Sequence, residues 1–357
     1  MDWHKIKIAY LHGRPGPHHM SKALAQAIGA EFHFIDEFAR WHDLPLPAWK
    51  RYVRWMQNAW HFPYEDFDAI FLDGLHVWPP IGKLLRRIHT PLIPRLANET
   101  MYFLYSGYLN GWKANLMKYA FAHYDAFIAA GQMEARLAKA VLGEKCPPVF
   151  TTINGIPDEK VENVRPKKDF SSPTVLLIAH GASGWRTFCK GLDLWMATLE
   201  RVAARFPHIK GWVVGHWDPA EIQRLFQLYP RSPVEFLGYL SDIQPILQKA
   251  GLYLHLGRGD AFPNVVLEVM AAGLPAIVSE WTGAAEAVEQ VWPEGVVPLS
   301  VEKATEAVVR YFSLTETEKR ALSEKSATLI REKYRLSQAI AGFQSAFAEV
   351  LKVVGLL

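Results

Sequence analysis

The chain has 357 residues, enough for two domains with a core each, and half of them are hydrophobic. Its net charge is only +3, with 21 Lys+Arg against 16 Asp+Glu over residues 1–168 and 18 against 20 beyond them, so no nucleic-acid partner is expected. No uninterrupted apolar run reaches eighteen residues, which argues against a membrane span, and two cysteines, Cys146 and Cys189, fit a reducing compartment.

The opening MDWHKIKIAYLHG lacks the layout of a signal peptide, so a cytoplasmic location is expected. Strand one is predicted over 5–11. The loop HGRPGPHHMS follows, then a helix over 22–28. Strand, glycine loop and helix form the layout of a phosphate-facing turn, which makes Gly13 and Gly16 candidate binding positions. Gly13-x-x-Gly16 falls short of a full dinucleotide fingerprint. His12, His18 and His19 crowd the same loop, but no HExxH or paired-cysteine pattern accompanies them, and no metal site is expected. Further strands are predicted over 31–35 and 69–72. Asp66-Phe67-Asp68 imitates a metal-binding Asp-x-Asp without other ligands beside it, and is read as chance.

Between these strands Trp49, Val53, Met56 and Trp60 share one helical face, while Lys50, Arg51 and Arg54 lie mostly around the other. Such a helix either packs on its own sheet or makes peripheral contact with anionic lipid at the inner face of a membrane. A second aromatic stretch, 101–108, follows a strand over 92–96. A strand over 124–129, a helix over 133–141, a strand over 149–153 and the turn Asn154-Gly155-Ile156-Pro157 complete a first domain of residues 1–157. Residues 158–173 are charged and Pro/Ser-bearing, which reads as a linker.

The second domain, 174–336, repeats that opening with a strand over 174–179, the loop HGASGWRTF and a helix over 192–206. Strands are predicted over 210–215, 234–240 and 252–256. Next, Pro263 is placed at the N1 position of a helix over 264–272, where its missing N–H costs nothing, and Gly273 at its C′ stop. A short apolar strand over 275–279 follows. Inside that helix Val265, Val266, Leu267, Val269 and Met270 surround Glu268, an acid that needs donors. Asp260 lies in the loop feeding the helix start, where free N–H groups favour anions. A nucleotide sugar fits this pattern, with its diphosphate at the helix start and its hydroxyls on the carboxylates. Helices over 303–312, 316–334 and 337–354 end the chain. Alternating strands and helices call for α/β architecture with parallel sheets.

The string GRGDAFPNVVLEVMAAGLPAIVSEWTGAAE, residues 257–286, resembles the donor-site signature of glycosyltransferase family 4. These are retaining enzymes of the GT-B fold with two glutamates separated by seven residues. Asp260 stands in place of the first glutamate and Glu268 is the second; AAGLPAIVS and the TGAAEAV segment around Glu286 continue the likeness. Asn154-Gly155-Ile156 resembles the turn that closes the family's first domain. Lys190-Gly191-Leu192-Asp193 resembles its Lys-Gly element, whose lysine contacts the donor diphosphate. VEFLGYL resembles the segment whose backbone touches the nucleotide base, around Gly238 and Tyr239. The family's Gly-Arg pair is replaced by His180-Gly181, which leaves Arg186 as the nearest guanidinium.

The resemblance implies two Rossmann-like parallel-sheet domains facing each other across a cleft, with the last helix, 337–357, joining the first. It implies transfer of a sugar, with retained configuration, from a nucleoside diphosphate donor to a glycan, lipid-linked or small-molecule acceptor. Lys190, Arg186 and the helix start at Phe262, Pro263, Asn264 and Val265 would stabilise the leaving diphosphate in place of a metal or cofactor. Asp260 would hold the transferred sugar and Glu268 the ribose. No residue stands out as a catalytic base, and the mechanism proposed for that family hands the acceptor proton to the departing phosphate. Two rivals share the fold: a sugar-nucleotide epimerase, which needs acid and base groups at the sugar ring, and a non-catalytic nucleotide-sugar binder, which the missing Gly-Arg arginine favours.

Overall fold

A computed structural model describes the chain except for residues 1–4, 13–18, 35–52, 54–55, 58–59, 87, 165–166, 168 and 182–183. Gly13, Gly16, His18 and most of the aromatic–basic segment 49–60 therefore lie outside the described residues; of that segment Val53, Met56 and Trp60 are described, and they are exposed. The chain divides into two units, Met1–Ile153 with Ala339–Leu357, and Asn154–Gln338.

In the first unit β1 (Ile8–His12), β2 (Glu31–Phe34), β3 (Ala69–Asp73), β4 (Leu92–Leu96), β5 (Phe127–Ala130) and β6 (Val149–Thr152) form a parallel sheet in the order β2-β1-β3-β4-β5-β6. The central strands are almost fully buried. Helices cover both faces of such sheets, so these strands read as continuous apolar runs rather than alternating ones. The chain leaves β1 for β2 on one side and β3 on the other, a switch that places a ligand crevice at the carboxyl ends of β1 and β3. The last helix, Leu336–Val353, completes this unit: Phe343 and Phe347, both fully buried, pack on Phe71 of β3 with ring centroids 5.4 and 5.8 Å away. Helix Trp78–Arg86 escapes sequence reading because it carries Pro79, Pro80 and Gly82; the prolines sit in its first turn, where no N–H is needed.

In the second unit β7 (Thr174–Ile178), β8 (Lys210–Val214), β9 (Val234–Gly238), β10 (Leu252–His255), β11 (Ala276–Ser279) and β12 (Val296–Val297) form a second parallel sheet, in the order β12-β11-β10-β7-β8-β9. Its switch point lies between β7 and β10. Helix Leu192–Ala203 brings fully buried Trp195, Met196 and Leu199 to a core shared with Val308 and Tyr311 of helix Val301–Ser313. Residues 158–173, expected as a linker, belong to this unit instead. Asp158–Glu162 is helical, Phe170 is buried, and Lys167 donates to the Gln248 carbonyl at 3.0 Å. The charges that suggested solvated chain find fixed partners: Asp158 accepts from Ser337, and Glu162 pairs with Arg335 at 2.9 Å.

Candidate functional site

Both loops that meet at the second switch point carry charge. β10 ends on His255, only 1% exposed, and the chain turns through Gly257 to Asp260. There Asp260 Oδ2 accepts from Lys190 Nζ at 2.5 Å and from His255 Nε2 at 2.9 Å. Burial works against ionisation of this carboxyl, but Lys190 and His255 outweigh it and hold the group well below the usual carboxylate range. Lys190 reaches Asp260 because its neighbour is glycine. Gly191, at φ 68°, lies so close to the Leu256 carbonyl that an added Cβ would sit 1.8 Å from the oxygen. The backbone of Arg258 closes the same contact, donating to the Cys189 carbonyl at 2.7 Å.

Arg258 ties the loop to two helices. Its guanidinium bonds both oxygens of Asp193, at 2.8 and 2.7 Å, donates to the Phe188 carbonyl at 2.7 Å, and lies over the Phe188 ring at 4.1 Å. Truncation to alanine should cost about 2 kcal/mol, because a two-pronged, charge-assisted contact is lost and Asp193 stays partly buried. Arg258→Lys should recover little of it, since an ammonium cannot make both bonds. Denaturant titration of the three proteins checks this; a lysine variant as stable as wild type would contradict it.

The helix start after Asp260 is braced from both sides. Asn154 Nδ2 donates to the Phe262 carbonyl and to Asn264 Oδ1, each at 3.0 Å. On the other side Gly283 N donates to the Asp260 carbonyl at 2.8 Å, and an added Cβ there would fall 1.4 Å from the Ala261 oxygen. Pro263 occupies the N-cap (φ −68°, ψ 112°) rather than N1, so helix Asn264–Ala271 opens one residue later than the proline. The extended backbone of a cap also suits a residue with fixed φ and no N–H. Phe262 is buried near Tyr334, whereas Asn264 and Val265 stay half-buried at the helix start.

Glu268 is half-buried on the same helix and, in the structure, has a protein partner. Lys160 Nζ lies 2.8 Å from it, the lysine being 57% exposed. An ion pair this open to solvent is worth at most about 1 kcal/mol, so other donors can displace it. Ile156, Lys160, Asp242, Gln244 and Glu268 line a cleft of about 450 Å³ within the second unit.

Beyond β7, β8 and β9 three rings stack: His216 lies 5.2 Å from Tyr239 at 7°, and His180 lies 5.8 Å from His216 at 26°. His180 Nδ1 accepts from His216 N at 3.1 Å. Tyr239 is 57% exposed and follows Gly238, whose φ is 70°. Burial pushes the His180 pKa down, as do His216, Arg186 and Lys190, so His180 is neutral at pH 7. Arg186, expected in a loop, is carried by helix Gly184–Cys189, and its charge is felt at His180.

The fold thus brings together Lys190 and Asp260, groups Phe262 to Val265 beside them, and joins Gly238 and Tyr239 to a ring stack. Sequence reasoning missed His255, Arg258, His216 and Lys160. The available signal for the two histidines was position, each being polar at or just beyond the carboxyl end of a central strand. Asp68 of the Asp-x-Asp look-alike accepts from the Lys7 backbone N–H at 2.7 Å. Among the described residues no group of His, Cys, Asp or Glu is placed to hold a metal ion, and no helix is long and apolar enough to cross a membrane.

Two parallel α/β units, each with a switch point, are the architecture of the GT-B fold. Across 97% of the chain and 99% of the other, the structure matches sucrose-phosphate synthase from Thermosynechococcus elongatus with a TM-score of 0.71 at 15% identity. HepE of Anabaena, solved in complex with UDP and glucose, matches over the same shares with a TM-score of 0.65 at 16% identity. The family model for glycosyl transferases group 1 matches residues 175–313, wholly inside the second unit. Among curated relatives, a viral protein assigned as a glycosyltransferase (ORF31) is 25% identical over 230 residues, 61% of this chain and 67% of its own. The gpi3 subunit of phosphatidylinositol N-acetylglucosaminyltransferase from Schizosaccharomyces pombe is 26% identical over 160 residues, so the chain spans 33% of that relative. The chain has the GT-B fold of these solved structures, and its residues 175–313 match glycosyl transferases group 1.

Proposed function

We propose that the protein moves a sugar from a nucleoside diphosphate to a hydroxyl-bearing acceptor with retained configuration, as family 4 enzymes do. One observation carries this reading: Lys190, held on Asp260, stands next to a braced loop that opens helix Asn264–Ala271. A cation and the positive end of a helix dipole suit a diphosphate whose charge grows as the sugar leaves. Lys190 and Arg186 neutralise that charge, Asp260 accepts from sugar hydroxyls, and Glu268 accepts from the ribose diol beside its cleft. Gly238 and Tyr239 lie at the base. HepE was solved with UDP, which makes UDP and UDP-glucose the first ligands to try. The acceptor is a glycan or a lipid-linked sugar, reached from the cytoplasm, and the segment 49–60 supplies peripheral contact with anionic lipid. Co-sedimentation with anionic liposomes tests that contact; a Lys50, Arg51, Arg54 triple glutamate variant that binds like wild type would exclude it.

A thermal-shift screen of nucleoside diphosphates and their sugars tests the donor reading, since a ligand at a hundred times its Kd stabilises by about 2.7 kcal/mol. Stabilisation by none of them would refute it. The products then separate the rivals: nucleoside diphosphate with a glycosylated acceptor for a transferase, a new sugar nucleotide for an epimerase, neither for a binder.

Because Lys190 and the helix start supply the positive charge, transfer is expected to continue in EDTA. Activity abolished by EDTA and restored by magnesium or manganese would count against this clamp.

A further inference from the structure

Asp260 has two carboxylate oxygens, and the protein holds it by one. Lys190 Nζ and His255 Nε2 both donate to Oδ2, while among the described residues Oδ1 has no partner. Nor is Oδ1 sealed in the core, although the side chain as a whole is only 16% exposed. An ion pair built for stability gains from using both oxygens, as Asp193 does with Arg258. The loop does not need the side chain of Asp260 to keep its shape. Gly259 N donates to the Trp281 carbonyl at 3.0 Å, Gly283 N to the Asp260 carbonyl at 2.8 Å, and Ser279 Oγ to the Gly257 carbonyl at 2.5 Å.

Of the two donors His255 is the fixed one. It ends β10, is buried, and stacks on Tyr253 with ring centroids 6.2 Å apart at 13°. Behind it Tyr253 Oη lies 3.4 Å from Nδ1 and 3.4 Å from the Ile178 carbonyl of β7. Burial first, and Asp260 after it, push the Tyr253 hydroxyl well above its usual range, so it keeps its proton. Lys190, by contrast, is 20% exposed, and its ammonium swings on a flexible stem. Gly257 lets the imidazole and the carboxylate meet: an added Cβ there would sit 2.8 Å from His255 Nε2 and 3.1 Å from Asp260 Cβ. An ionised carboxylate only accepts, so the proton between them belongs to Nε2.

We infer that His255 is a positioning residue for the donor: by holding Oδ2 from a rigid strand end it turns Oδ1 of Asp260 outward, as the acceptor for a hydroxyl of the transferred sugar. The inference rests on the nucleotide-sugar reading above, and every group it uses belongs to the second unit. His255 touches no ligand itself. When Lys190 turns to the diphosphate, His255 remains on Oδ2 and keeps the carboxylate from rotating. A supporting side chain locked on a strand holds a binding group more closely than one on a loop.

The test is calorimetry on the full chain with two probes, UDP and UDP-glucose. His255→Leu frees the carboxylate to rotate and should weaken UDP-glucose about tenfold, the lower end of what a hydrogen bond to a charged group is worth, while leaving bare UDP unchanged. His255→Gln, whose amide N–H can stand where Nε2–H stood, should restore most of that loss. Nitrogen-15 NMR of the wild type should show a proton on Nε2 of His255, a readout that needs no ligand and no variant. A ring without that proton overturns the inference. So does a leucine variant that binds UDP-glucose like wild type or loses both probes equally, and so does a glutamine variant no better than leucine. A wild-type chain that shows the Nε2 proton but binds neither probe overturns the donor reading, and the inference with it.

Discussion

Replacing Lys190 by alanine is expected to lower turnover by about a hundredfold or more, because charge developing on the diphosphate loses its main counter-charge. UDP affinity should fall much less, since on the proposed reading the helix start and Glu268 still hold the nucleotide. The substitution has a second consequence, readable without substrate. In the wild type Lys190 and His255 hold the Asp260 carboxyl below its usual range against the effect of burial. A depressed carboxyl contributes stability that is full above its unfolded value of about 4 and is lost as pH falls through the folded one. Without Lys190 the depression shrinks, so the variant has less of this stability to lose and its stability should fall less steeply on acidification below about pH 4 than that of wild type. Steady-state UDP release and acid-unfolding curves together check this. A variant with wild-type turnover would remove Lys190 from the mechanism.

Glu268→Gln and Asp260→Asn are expected to fail in different ways. A ribose diol can donate two hydrogen bonds to Glu268, and a bond to a charged group is worth about 1.5–3 kcal/mol, or roughly ten- to a hundredfold in affinity. Glu268→Gln should therefore weaken bare UDP and UDP-glucose alike. Lys160→Ala serves as its control, because that lysine is mostly solvated and its pair is worth little. On the proposed reading Asp260→Asn removes a contact to the sugar alone; it also loosens Lys190, which is then free to meet phosphate. Bare UDP should bind the asparagine variant at least as well as wild type, while UDP-glucose binding and turnover fall. Calorimetry with both ligands on all three variants reads out the pattern. Equal losses of UDP binding in Glu268→Gln and Asp260→Asn would sink this division of labour.

Local signals served well wherever residue type and backbone need coincide. Gly273 adopts φ 72° at the end of helix Asn264–Ala271, as a C′ glycine should. The apolar runs of β3, β4 and β11 were legible because strands covered on both faces need no polar alternation. Helices rich in proline or polar residues, such as Pro219–Leu228 and Gln244–Lys249, gave no such pattern and were missed. The charged stretch after Pro157 misled for a related reason: a side chain looks solvated until its partner is known, and the partners of Asp158 and Glu162 lie more than 170 residues further on.

The amino-acid sequence by itself determined the α/β class and the run of parallel strands, and it set apart the stretch from Gly257 to Glu286 that resembles a donor-site signature. Periodicity, turn residues and a contiguous motif are all local, so they survive reading in one dimension. The tertiary structure alone decided which charges meet. It set Lys190 on Asp260, 70 positions apart, and Lys160 on Glu268, 108 apart. It also brought His12 to Asp73, because strand order places β3 beside β1 although β2 comes between them in the chain. Side-chain partnership depends on sheet order and on close backbone approaches such as Gly191 against Leu256, and no short stretch of residues encodes either.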